Sequence, residues 1–293
     1  MQTQSASLGV RLENVLYATD FHSHSRAALP YALSIAHRYG SKVYVVNVVN
    51  VSPFASPGAT GALRAVEAQA IREAKAAAME LSSDLGQVQN EVVIRKGNVW
   101  KEISDVVEQK RIDLIVVGTH GREGVSKVIM GSIAEKIFRR ASCPVLTIGP
   151  RIHGEPDQFD HLHSILVPMD FRPESMAALS YATSLAQMNQ ARLYLLHVTP
   201  AEEAPTRSLK AALRNLTPAT GELTFAPKVF VEAGIPSQQI LDLAEELAVD
   251  LIVLGVKRPA LLEGTSPHQA MATACKVVSG AGCPVITVGV YSH

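Results

Sequence analysis

The 293-residue sequence has few of the features that mark several large classes of protein. It contains only three cysteines, too few and too sparse for a disulfide framework. Lysine plus arginine and aspartate plus glutamate both number 27, so the basic excess typical of nucleic-acid-binding proteins is missing. Aromatic residues make up 5%, which disfavours stacking surfaces for single strands. No apolar run approaches the roughly 20 residues of a membrane span, and the first residues lack the apolar stretch of a secretory signal. We therefore expect a cytoplasmic protein that binds neither nucleic acid nor membrane.

The chain instead has ample apolar material and an internal repeat. Hydrophobic residues make up 47%, and the length is about twice that of a common domain. Four segments recur in the same order, which indicates a duplication. The pairs are Asn14–Asp20 with Ser164–Asp170, Lys42–Val48 with Arg192–Val198, Asp113–Gly118 with Asp250–Gly255, and Cys143–Gly149 with Cys283–Gly289. We predict one domain over 1–150, a linker over 151–163 and a second domain over 164–293.

Each half alternates short apolar segments with helical patterns. The predicted strands of the first half are Val15–Thr19, Val43–Val48, Glu91–Lys96, Leu114–Gly118 and Val145–Ile148. The predicted helices are Ser25–Tyr39, Gly61–Leu85, Val99–Gln109 and Ser132–Arg140. Strands that are apolar nearly throughout are typical of a parallel sheet covered on both faces. The prediction is an α/β fold of two tandem doubly wound, Rossmann-like domains, each with a five-stranded parallel sheet in the order 3-2-1-4-5.

A glycine pattern follows the fourth strand of the first half. Gly118 and Gly121 lie directly after the strand, and Gly131-Ser132 opens the fourth helix. Glycines let a backbone approach an anion closely, and a helix start adds free amides and the positive end of a dipole. Asp20 ends the first strand, where it could hold a ribose hydroxyl, orient a base or merely cap the first helix. In a 3-2-1-4-5 sheet Asp20, Gly118 and Gly121 should line the crevice at the switch point between strands one and four.

The spacing Gly-x2-Gly-x9-Gly-Ser resembles the nucleotide motif of the ATP-binding branch of the universal stress protein family. The resemblance covers nearly the whole chain, twice. It implies ATP with Mg²⁺, adenine near Asp20 and the backbone of Val48, and phosphates at the glycine loop and the start of the fourth helix. The implied nucleotide-binding residues are Thr19, Asp20, Val48, Gly118, Thr119, His120, Gly121, Gly131, Ser132 and Ile133.

The second half departs from this motif. It keeps Asp170 and Gly255, but Arg258 replaces the second glycine and Met271-Ala272 replaces Gly-Ser. We expect its site to be empty or altered. Alternatively, the helix-start pattern of Gly264–Pro267 could hold an anion differently.

Histidines could suggest a metal site. His22 and His24 follow the first strand, and His161 and His163 lie in the linker. No cysteine or carboxylate accompanies either pair at ligand spacing, so we predict no protein-bound metal apart from Mg²⁺ carried by ATP.

We expect a nucleotide-binding sensor or regulator of the stress response with an unknown protein partner. The common hydrolase and Walker motifs are missing from the sequence, which disfavours an enzyme. The alternative is a slow ATPase or a nucleotide-transferring enzyme, by analogy of fold. The fifth strands, Val145–Ile148 and Val285–Val288, should pair at their edges, either in a homodimer or within one chain as a pseudo-dimer.

Overall fold

A computed structural model describes residues 10–50, 60–119, 132–152, 161–201, 207–217, 223–258 and 269–291. In the first half the elements are β1 (Asn14–Ala18), α1 (Ser23–Arg26), α2 (Leu29–Tyr39), β2 (Lys42–Val49), α3 (Thr60–Leu85), β3 (Asn90–Lys96), α4 (Val99–Lys110), β4 (Leu114–Gly118), α5 (Ser132–Arg140) and β5 (Val145–Ile148). In the second half they are β6 (Ser164–Pro168), α6 (Pro173–Asn189), β7 (Arg192–Thr199), α7 (Arg207–Asn215), β8 (Lys228–Ala233), α8 (Pro236–Glu246), β9 (Leu251–Arg258), α9 (Gln269–Gly280) and β10 (Val285–Tyr291). Most of the predicted linker, residues 153–160, lies outside the described residues.

The ten strands form one sheet in the order β3-β2-β1-β4-β5-β10-β9-β6-β7-β8. Each half is parallel and has the predicted order 3-2-1-4-5. The halves join where β5 and β10 pair antiparallel, with Leu146 opposite Ile286 at the centre of the ladder. The predicted pairing of the fifth strands is therefore made within one chain.

A pseudo-two-fold axis relates the halves at this junction. Leu146 and Ile286 occupy equivalent positions of the repeat, as do Tyr39 and Asn189 at the ends of α2 and α6. The Tyr39 hydroxyl donates to Asn189 Oδ1 at 3.0 Å. Contacts between equivalent positions are expected of an isologous interface, as in a symmetric dimer. Here the two copies of the repeat that form such an interface belong to one chain.

Two apolar layers cover the faces of the sheet, because the strands bury side chains on both sides. One layer contains Tyr17 and Ile35 of the first half and Ile165 of the second. The other contains Phe138 of α5 and Val277 of α9. All five residues of β4 are buried, which matches the apolar character that predicted it.

The predicted helix Ser25–Tyr39 is two helices, α1 and α2. Pro30 cannot donate a hydrogen bond to the carbonyl of Arg26, and its ring would clash with that carbonyl in a continuous helix. The second half has Ser180 at the position of Pro30, and α6 runs unbroken through it. The proline therefore explains the break.

Within the described ranges, the helices lack the combination of length and apolar character that crossing a membrane requires.

Candidate functional site

A cleft lies at the carboxyl ends of β1, β2 and β4, where the chain leaves β1 and β4 towards opposite faces of the sheet. Five of the residues predicted to bind nucleotide line it together, although they are far apart in the sequence. They are Thr19, Asp20, Val48, Gly118 and Ile133. The cleft is therefore at the switch point that the predicted strand order indicated.

Other lining residues were not predicted as part of the site. Ser25 and Asn47 add polar groups, and Val99 and Ile103 of α4 add an apolar wall. Val99 and Ile103 are four residues apart, so they share one face of the helix. That spacing was the available signal, but the topology was needed to show that this face borders the cleft.

The phosphate side of the site is only partly described. His120, Gly121 and Gly131 lie outside the described residues. Helix α5 spans Ser132–Arg140, as predicted, and its second residue, Ile133, lines the cleft at 39% exposure. The amino-terminal turn of α5, which carries the positive end of the helix dipole, therefore borders the cleft.

Thr119 is predicted to bind nucleotide, and the structure shows it holding two strand ends together. Its N–H donates to the carbonyl oxygen of Ile148 at 3.0 Å, and its hydroxyl donates to the same oxygen at 3.3 Å. The residue is 5% exposed. These bonds tie the end of β4 to β5 beside the cleft.

The carboxylate of Asp20 is held by the turn that follows β1. Its Oδ1 atom accepts from the N–H of His22 at 3.0 Å and from the hydroxyl of Ser25 at 2.6 Å. Phe21, which lies between Asp20 and His22, has a left-handed backbone conformation with φ 64°. A non-glycine residue adopts this conformation at some cost in free energy. The alternative that Asp20 caps the first helix is wrong, because His22 is the N-cap residue of α1 and no side chain makes the capping hydrogen bond there. Asp20 instead braces the turn before that helix, and the same turn places it in the cleft wall.

The buried base of this turn is also hydrogen-bonded. Burial raises the pKa of Tyr17 to about 12, so its hydroxyl stays protonated and donates to the carbonyl oxygen of Ser25 at 3.0 Å. The side-chain amide of Asn47 donates to the carbonyl oxygen of Thr19 at 2.9 Å. The end of β1 is therefore held from two sides.

The backbone of Val48 points towards the cleft. The carbonyl of Val46 accepts from the N–H of Thr19 at 3.0 Å, so the backbone groups of Val46 face β1. Residues two apart in a strand direct their backbone groups to the same side. Because β1 ends at Ala18, those of Val48 face the space beyond it.

The corresponding part of the second half has a different structure. Strand β9 continues past Gly255 to Arg258 and pairs with β10 as far as Tyr291. A Cβ atom on Gly255 would lie 2.2 Å from the carbonyl oxygen of Glu174, so this glycine serves the close packing of α6 on β9. The segment that corresponds to the start of the glycine loop is thus part of the sheet.

Two further features alter the second half. Met271 and Ala272 lie inside α9, whereas the equivalent Ser132 lies at the described start of α5. Asp170 Oδ2 lies 3.7 Å from Nε of Arg172. The alternative anion site at 264–267 lies outside the described residues.

No group of three histidine, cysteine, aspartate or glutamate side chains suited to a metal ion occurs among the residues that the structure describes.

Comparison with known proteins gives consistent matches. The sequence profile of the universal stress protein family matches residues 11–149 and 161–289. A universal stress protein of Methanocaldococcus jannaschii is 30% identical over 139 residues, which are 46% of this chain and 81% of the relative. Universal stress protein A homolog 1 of Coxiella burnetii is 30% identical over 138 residues, 46% of this chain and 95% of that protein.

A solved structure shares the whole two-domain fold. The crystal structure of a universal stress protein from Archaeoglobus fulgidus matches with a TM-score of 0.75 at 19% identity, covering 95% of this chain and 99% of that one. Since the two profile matches together span most of the sequence, the chain belongs to the universal stress protein family and consists of two tandem universal stress protein domains.

Proposed function

We propose that the first domain binds an adenine nucleotide, ATP with Mg²⁺, and that the protein acts as a cytoplasmic, nucleotide-dependent regulator in the stress response. The observation that carries this proposal is the convergence of Asp20, Val48, Gly118 and Ile133 on one cleft. Those residues were selected from the sequence as a nucleotide site, and the fold brings them together at a switch point between parallel strands.

The described walls suit a nucleoside. Val99, Ile103 and Ile133 offer apolar surface to a planar base. The N–H and C=O groups of Val48 offer a donor and an acceptor to the edge of that base. The carboxylate of Asp20 is an acceptor for ribose hydroxyls.

The phosphates would lie between the end of β4 and the start of α5. Gly118 ends the strand, and the first turn of α5 has amide groups without partners inside the helix. In the sequence, Gly121 and Gly131 lie between these two elements. Mg²⁺ would enter with the triphosphate, whose negative charge it neutralises in part.

The repeat supplies a matched control for a binding experiment. Asp20→Asn removes the charge from the first cleft, and Asp170→Asn makes the same change in the second domain. A hydrogen bond to a charged group contributes more binding free energy than one between neutral groups, so Asp20→Asn should weaken ATP binding about tenfold. Asp170→Asn should leave the affinity unchanged. Isothermal titration calorimetry measures both. Equal effects of the two substitutions would contradict a site in the first domain.

A second variant tests the phosphate part separately. Gly121→Arg copies Arg258 and places a bulky side chain in the glycine loop. ATP affinity should then fall to that of adenosine, since the phosphates would no longer contribute. If the variant still bound ATP more tightly than adenosine by the wild-type factor, the proposal that the glycine loop binds the phosphates would be contradicted. Measurement of phosphate release from the same samples tests the slow-ATPase alternative.

A further inference from the structure

A chain of hydrogen bonds leads to the carboxylate of Asp20. The N–H of Phe21 donates to Thr19 Oγ1 at 2.9 Å, and Thr19 Oγ1 lies 2.9 Å from Ser25 Oγ. Ser25 Oγ lies 2.6 Å from Asp20 Oδ1 and 3.0 Å from the carbonyl oxygen of His22. Both hydroxyls are buried, on residues that are 8% and 6% exposed.

The number of hydroxyl protons determines which group donates and which accepts in each of these hydrogen bonds. Each hydroxyl has one proton. The proton of Ser25 goes to Asp20, because a bond to a carboxylate is shorter and stronger than one to a carbonyl. Ser25 then accepts from Thr19, and Thr19 accepts from the N–H of Phe21. The two hydroxyls thus form a relay that ends on Asp20 Oδ1.

The second domain keeps the serine and lacks the relay. Met169 stands at the position of Thr19. There Ser175 Oγ accepts from the N–H of Asp170 at 3.3 Å and donates to the carbonyl oxygen of Arg172 at 3.0 Å. The carboxylate of Asp170 accepts from the N–H of Arg172 at 3.1 Å. The same turn therefore exists in both domains, but the hydroxyl relay to the carboxylate is specific to the first.

We infer that Ser25 and Thr19 are positioning residues that fix the orientation of the Asp20 carboxylate for its ligand. The inference rests on the proposed nucleotide binding and adds that the selectivity of the cleft for ribose hydroxyls depends on two side chains that act through Asp20. Donors from the backbone of His22 and from Ser25 converge on Oδ1. Loss of the hydroxyl donor removes a short bond that holds Oδ1, and the carboxylate then rotates more easily about its terminal torsion, which is intrinsically broad.

A double-mutant cycle on the full chain tests this role. Ser25→Ala should weaken ATP binding about fivefold, in line with loss of a hydrogen bond to a charged group. In the Asp20→Ala background the same substitution should change the affinity by less than about twofold, because its effect passes through Asp20. A role confined to folding would give the same fold-change in both backgrounds and would overturn the inference.

Matched variants separate positioning from general stability. Thr19→Val should weaken ATP binding. Thr19→Ser keeps the hydroxyl, so this variant should bind ATP as the wild type does. Ser175→Ala should leave the affinity unchanged. The ratio of affinities for ATP and 2′-deoxy-ATP should fall in Ser25→Ala and Thr19→Val; an unchanged ratio in both would contradict the inference. Failure of the wild-type protein to bind any nucleotide would instead overturn the proposed function.

Discussion

Ile103 and its repeat equivalent Ile240 allow the apolar wall of the cleft to be tested against a built-in control. Ile103 is 2% exposed and lines the cleft from α4. Ile240 is 3% exposed on α8 and belongs to the same apolar layer of the sheet. Substitution by alanine at either position therefore removes a similar amount of buried surface, but only one of the two changes the cleft.

The expected loss of stability follows from that burial. Isoleucine to alanine removes three carbon groups, and about 0.8 kcal/mol for each gives about 2.4 kcal/mol of lost transfer free energy. A cavity that does not collapse raises the total towards the upper part of the usual range of about 2–5 kcal/mol. We expect both variants to fall in this range when unfolding in urea is followed by circular dichroism.

The two variants should differ in binding. If the base packs on α4, Ile103→Ala removes part of its contact surface, and the affinity for ATP should fall about tenfold. Ile240→Ala should bind ATP as the wild type does. Titration calorimetry on folded samples measures both. Equal affinities in the two variants would refute the assignment of α4 as a wall of the binding site.

Three further predictions concern the surrounding structure. Hydrogen bonds from Lys110 and Lys42 hold the pKa of Glu91 below its ordinary value of 4.5, so this carboxylate stabilises the fold above that pH and loses its contribution as the pH falls through the lowered value. Glu91→Gln should therefore lower the free energy of unfolding at pH 7. In urea titrations, the difference in this free energy between the variant and the wild type should shrink below about pH 4, and an unchanged difference would contradict the prediction. Burial raises the pKa of Cys283 to about 12, so iodoacetamide at pH 8 should label this thiol only after unfolding. Peptide mapping separates it from Cys275, which is less buried, and fast labelling of Cys283 in the native protein would be inconsistent with its buried position. Leu146→Ala, at the fully buried centre of the β5–β10 ladder, should lower the free energy of unfolding by about 2–5 kcal/mol, and a loss below about 1 kcal/mol would argue against that junction.

The architecture was predictable because its signals are local and repeated. Strands such as Leu114–Gly118 are apolar throughout, and the duplication gave four of the five strands a second occurrence in the sequence. The break before Pro30 was also visible in the sequence, since proline inside a helical pattern ends or kinks the helix. The predicted helix that spans it is wrong for that reason.

The details of the site depended on tertiary structure. Thr19 was predicted to bind nucleotide and lines the cleft, and the sequence gave no sign that its hydroxyl lies against Ser25, a contact that requires the turn at Phe21. The charged pair Lys257-Arg258 gives no strand signal, yet β9 extends through it because β10 continues alongside. Such pairing between distant segments does not follow from local propensity.

The most direct test of the central claim is a crystal structure of the protein grown with excess MgATP. The account predicts one nucleotide per chain, with its adenosine beside Asp20 and Val48 and its phosphates between Gly118 and the first turn of α5. A well-ordered first domain whose cleft contains only solvent, or a nucleotide bound solely in the second domain, would contradict it.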